Sequence, residues 1–170
     1  MHDPKAKLVA DIRTAFAGVV RPQEVTRCSY DRRNGGQYGT CVECSDMQKF
    51  FQDKDWRTLD AATLRREGQA TALFEIDAYV YFLPAFLVAA IEDPVRADVI
   101  LDHIPHCFGP RAEDEWGRSR LSSILERLTV PQRRVVLDYL RQTHEPERDF
   151  DGSEARAIAN FEAALCQADG

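Results

Sequence analysis

At 170 residues, with hydrophobic side chains at 44% and charged ones at 29%, the chain has the size and make-up of one ordinary globular domain. One core in a chain this long buries roughly 70% of the unfolded surface, so neither disorder nor a fibrous repeat is indicated. The formal charge of −6 is uneven: residues 73–110 carry −5, residues 149–170 carry −4 and the remainder is +3, which disfavours nucleic acid, whose phosphates need clustered Lys and Arg, and favours a basic protein partner.

The first residues, Met1 to Lys7, reach charge without the apolar stretch of a secretory leader, so a cytoplasmic location is expected. Residues 8–16 place Leu8, Ile12, Ala15 and Phe16 on one stripe with Val9 beside it, an amphipathic helix over 4–17 that Gly18 ends. From Val25 to Tyr38 the pattern changes. Val25, Tyr30 and Tyr38 flank Arg32-Arg33-Asn34-Gly35-Gly36, and Asn-Gly favours the positive backbone angles of a hairpin turn.

Thr40 with Glu43 three positions on reads as a capping box that opens a helix with Met47, Phe50 and Phe51 on one face, closed by Trp56. Asp60 caps a short helix holding Leu64, which Gly68 ends. Leu73 to Ile91 is the most hydrophobic element. Its charge-free run over 78–91 is 14 residues, short of the about 20 that cross a membrane, so it reads as a core helix and no membrane partner is expected. Pro84 removes an amide and crowds the Val80 carbonyl, which predicts a kink or split near Leu83.

Asp93-Pro94 caps a helix containing Val99, Ile100 and Ile104 that Pro105 is expected to stop, with 107–116 as loop. Leu121, Ile124, Leu125 and Leu128 follow helical spacing. Thr129-Val-Pro-Gln132 is a second capping box, opening a helix with Val136, Tyr139 and Leu140; so short a junction predicts that the two helices pack on each other. Ser153 is placed as cap of a last helix with Ile158, Phe161 and Leu165. The expected fold is mainly α: a single compact multi-helix domain over residues 1–170 with at most one small β-hairpin near the N-terminus.

Chemistry clusters in few places. Cys28, Cys41 and Cys44 are spaced to offer three thiolates to a structural zinc, with a fourth ligand sought among Asp31, Asp46 or the distant His103, His106 and Cys107. A redox reading of Cys41-Val-Glu-Cys44 needs a βαβ unit, which the pattern lacks, and plain packing of the thiols is the simpler alternative. Five cysteines, an odd number, do not read as a disulfide framework. Asp102, His103, His106 and Cys107 crowd one segment, yet His106 and Cys107 are adjacent and point apart, and helical neighbours seldom converge on a substrate. Phosphate-binding glycine loops, H-E-x-x-H and G-x-S-x-G are absent from the sequence. Tyr79, Tyr81, Phe82 and Phe86 around Pro84 read as core aromatics or as the rim of a groove charged by Glu75 and Asp77.

The succession Cys41-Val-Glu-Cys44, Phe50, Trp56, Tyr79-x-Tyr-Phe-Leu-Pro-Ala-Phe-Leu87 and Leu128-Thr-x-x-Gln132 resembles a bacterial family of uncharacterised helical proteins, a domain of unknown function. The resemblance covers about residues 41–140, with Tyr-Phe-Leu-Pro-Ala its most specific part. It implies a bacterial source and an α-helical fold. The functional expectation is a non-enzymatic protein-binding domain, an immunity or antitoxin-type inhibitor that meets a basic toxin with an acidic, tyrosine-bearing surface drawn from Glu75, Asp77, Tyr79, Tyr81, Asp98 and Asp102. A zinc-stabilised interaction domain and a Cys/His enzyme are the alternatives.

Overall fold

The structure, a computed structural model, describes residues 3–26, 41–67 and 71–168. The described residues form α-helices and no strand: α1 Pro4–Ala15, α2 Val42–Phe51, α3 Ala61–Glu67, α4 Ile76–Glu92, α5 Pro94–Ala97, α6 Val99–Phe108, α7 Glu115–Arg127, α8 Val130–Thr143 and α9 Ser153–Ala168. Short 3-10 turns at Trp56–Thr58 and Thr71–Leu73 bracket α3. The Asn34-Gly35 hairpin expected before α2 lies outside the described residues. At its near edge Thr26 makes a lone antiparallel bridge to Phe74, and the Gln48 amide oxygen accepts from the backbone N–H groups of Val25 and Thr26 at 2.8 and 3.1 Å.

Helix α4 is the axis of the molecule. Every residue from Ala78 to Ile91 is buried, and α1, α3, α5, α6, α7 and the Trp56 turn pack around it. The split expected at Pro84 does not occur: α4 runs unbroken through the proline. Proline deletes one backbone bond, but a helix wrapped in apolar neighbours on all sides recovers more by burial than that bond supplies. Phe51, Phe74 and Phe82 meet edge-on or tilted at 5.0–5.6 Å between ring centres on one flank of α4.

Several boundaries differ from those read in the sequence. Asp93 caps as expected, accepting from the Arg96 amide at 3.2 Å, but the helix it opens lasts one turn. Asp98 adopts φ 41° and breaks the segment into α5 and α6. Its carboxylate lies 2.7 Å from Arg65 of α3, against which α5 packs. Pro105 does not stop α6, which continues to Phe108 because Ile100, Ile104, Pro105 and Phe108 bury one shared face. Helix α2 has Cys41 at its capping position, where the Cys41 side chain makes no capping bond; Thr40, expected as the cap, lies outside the described residues.

The Thr129 and Gln132 capping box is formed, with Gln132 also donating to the Ala15 carbonyl at 3.2 Å across to α1. The helices it separates do not pair chiefly with each other: α7 packs on α4, whereas α8 packs on α1 and α9. Ser153 begins α9 without being its cap. The Asp149 carboxylate accepts from the amides of Glu154 and Ala155 at 3.1 and 3.0 Å, after Gly152 turns the chain at φ 72°.

Helix α9 also seals the end of α6. Asn160 donates to the Phe108 carbonyl at 2.8 Å, and Arg156 Nε to the Gly109 carbonyl at 3.0 Å, pairing acceptors that a helix C-terminus leaves open. Gly109 is required by contact, since a Cβ there would stand 2.0 Å from the Ser153 carbonyl oxygen.

Candidate functional site

Two concavities flank α6. The larger, of about 680 Å3, is a groove bounded by α1, the end of α4, α5, α6, α8 and the start of α9. Its floor is apolar, from Leu8, Ile91, Leu101, Pro105 and the buried Tyr139. Four carboxylates, Asp98, Asp102, Glu145 and Glu154, line it against Lys5 and Arg148. Three of these acids have basic partners: Asp98 with Arg65 at 2.7 Å, Glu145 with Arg148 at 3.2 Å and Glu154 with His144 at 2.7 Å. Asp102 is exposed and has no ion pair among the described residues. Val95 and Phe150, 85% and 95% exposed, stand on the lining as large apolar side chains in water.

The sequence reading is divided by this geometry. Asp98 and Asp102 line the groove, as an acidic binding face requires. Asp77 is instead exposed and paired with Arg127 at 2.9 Å, and Glu75 holds the capping position of α4, its amide donating to the Val25 carbonyl at 2.9 Å. Tyr79 and Tyr81 are 3% and 4% exposed, so the expected tyrosine-bearing surface is corrected: α4 is enveloped on every side and both phenols belong to the interior.

The second concavity, about 260 Å3, lies between α4 and α6 and is lined by Tyr79, Phe86, Val99, Ile100, Ile104 and, at one end, Thr71 and His103. His103 Nε2 meets the Thr71 hydroxyl and lies 3.4 Å from Cys107 Sγ, one helical turn on. Arg120 of α7 fixes the turn beneath, donating to the Thr71 and Phe74 carbonyls at 3.1 and 2.9 Å, and its guanidinium stacks between Tyr79 and Trp116 at 5.4 and 5.6 Å from their ring centres.

Electrostatics set the state of this cluster. Burial pushes the Cys107 thiol up, against the Tyr79 hydrogen bond and the Arg120 charge, which favour thiolate. Burial also pushes His103 down, helped by electrostatic repulsion from His106 and Arg120 nearby. Both shifts keep the pair as thiol and neutral imidazole, whereas an activated cysteine nucleophile needs the thiolate. The arrangement is a polar end to the pocket in which thiol and imidazole are both favoured in their neutral forms.

Cys107 and His103 meet because i and i+4 share one face of α6, the face turned toward α4. His106 points away as expected, its Nδ1 donating to the Asp102 carbonyl at 2.7 Å and its Nε2 standing 3.4 Å from Asp151. Thr71 and Arg120 escaped the sequence reading, since only the packing of the 3-10 turn and α7 against α4 brings them there. Of the three cysteines considered for zinc, Cys28 lies outside the described residues. Cys41 is half-buried at the head of α2 and Cys44 is buried one turn on. Among the described residues no three of His, Cys, Asp or Glu gather as a metal shell, and no helix is long and apolar enough to cross a membrane.

An all-α domain with a central buried helix and two concavities beside α6 is thus the class that fold and site define. A family model described as a family of unknown function (DUF6714) matches residues 4–163, and the chain belongs to that family. The match extends beyond residues 41–140, where the sequence motifs placed it, and takes in most of α1 through α9. No curated protein and no solved structure matches the chain.

Proposed function

We propose that the protein is a non-enzymatic protein-binding domain, most concretely an immunity or antitoxin-type inhibitor, whose groove between α5, α6, α8 and α9 receives a basic, apolar-anchored segment of a bacterial toxin. The observation that carries this reading is the combination in one groove of an apolar floor, an excess of carboxylates and two fully solvated hydrophobic side chains, Val95 and Phe150. Apolar anchors supply affinity, while unneutralised acids such as Asp102 select a cationic partner and hasten its approach. The neutral Cys107 and His103 pair supports the same reading by offering no activated nucleophile.

The test uses retention of the partner from native lysate on immobilised wild-type chain and on a Phe150→Ser, Asp102→Lys double variant. Both positions are exposed, so the variant is expected to melt as the wild type does. The reading requires a basic protein retained at least tenfold less by the variant, and relief of that protein's toxicity by co-expression of the wild type only. Equal retention by both chains, or no partner and no protection, counts against it.

A further inference from the structure

The cavity between α4 and α6 is separate from the groove and does not depend on the protein-binding reading. Interiors pack densely and leave few voids larger than a water, for which roughly 10–15 Å3 suffices. The concavity opens to solvent on one side, and its space of about 260 Å3 is far more than a single water needs. Benzene occupies an engineered apolar cavity of about 150 Å3, so by proportion this one holds about ten non-hydrogen atoms.

Its chemistry is polarised. Phe86, Val99, Ile100 and Ile104 make an apolar wall, and the polar atoms converge at the end where Thr71 and His103 meet. That end is built before any ligand arrives. Arg120 holds Thr71 by its carbonyl, and Thr71 and Cys107 together fix the imidazole through contacts on one ring nitrogen. A prearranged polar end in an apolar chamber spends little free energy on ordering when it binds.

We propose that this cavity is a binding site for a small neutral molecule with an aromatic or alicyclic body, seated against Phe86, Ile100 and Ile104, and one hydroxyl or carbonyl head placed at Thr71 and His103. A net charge on the ligand is disfavoured, because the apolar wall would strip its water and the nearest cation, Arg120, is already engaged with the Thr71 and Phe74 carbonyls. Val99, partly exposed, marks the mouth.

The test is titration of the full chain with 1-naphthol, naphthalene and 1-naphthoate, followed by calorimetry and by the His103 ring resonances in NMR. The site predicts saturable one-to-one binding of 1-naphthol, naphthalene at least threefold weaker and 1-naphthoate at least tenfold weaker, with the His103 resonances moving during the naphthol titration. Val99→Phe, which plugs the mouth at a partly solvated position, is expected to weaken 1-naphthol at least tenfold. His103→Leu is expected to erase the advantage of naphthol over naphthalene. No saturable binding, tightest binding of the naphthoate, His103 resonances that stay still, or a folded Val99→Phe chain that binds as before would each overturn the proposal.

Discussion

His103 shows how one side chain links interior packing to solution conditions. Its protonation is opposed by burial, by His106 and by Arg120, so its folded value lies below the usual histidine value of about 6.5. The sign follows from proton counting. Below about pH 6.5 the unfolded chain takes up the proton before the folded chain does, so stability is full above that pH and falls as pH drops toward the depressed folded value. Between pH 7.5 and 5.5 the wild type is expected to lose more in melting temperature than His103→Gln, which keeps a hydrogen-bonding head but does not titrate. Equal losses in thermal melts of the two chains would show that His103 is not the group responsible. Neither this residue's partner in Cys107 nor its contact with Thr71 follows from composition; what the sequence does display is the one-turn spacing of His103 and Cys107, and that spacing identifies a shared face without saying whether the face is covered.

At the scale of elements, local rules succeeded where backbone and neighbouring side chains decide the outcome. The caps at Asp60 and Thr129 formed because each side-chain oxygen reaches an amide three residues on, Asp60 to the Thr63 N–H at 2.8 Å and Thr129 within its reciprocal box. Thr129→Ala is expected to lower the free energy of unfolding by about 1 kcal/mol in urea denaturation, because the Gln132 amide loses its acceptor at the helix start. At the interior prolines local rules overstated the break: α4 is not split at Pro84 and α6 is not stopped at Pro105. Pro84 and Pro105 are strong helix breakers in isolation, but each sits on a face that tertiary packing buries, and that packing is invisible in a one-dimensional pattern. The junction at Leu128 misled for the same reason: a short turn fixes where two helices meet, while the partners on either side decide where they go.

For the whole molecule, the order of the helices was legible because each apolar stripe is local in sequence, but their number was not: the single helix expected after Asp93 is two, α5 and α6, parted at Asp98. The candidate sites were only half legible. Asp98 and Asp102 were found through the acidic skew, but the groove also needs Leu8, Tyr139 and Phe150, which lie on three remote segments. Assembly of those segments rests on close approach of α6 to α9. Gly109→Ala drives a methyl into the Ser153 backbone and separates the two helices, at an expected cost of about 1–3 kcal/mol in urea denaturation. A substitution of Gly18, where a Cβ would meet nothing within 4 Å, provides the matched control expected to leave the fold undisturbed.

The enveloped position of α4 also bears on how the chain comes to be made. Synthesis proceeds from the N-terminus, so this greasiest stretch leaves the ribosome ahead of α5, α6 and α7, which must arrive before its flanks are shielded from water. During that interval the nascent polypeptide presents its stickiest segment to other chains, which makes the moments before release the period when aggregation competes most directly with maturation.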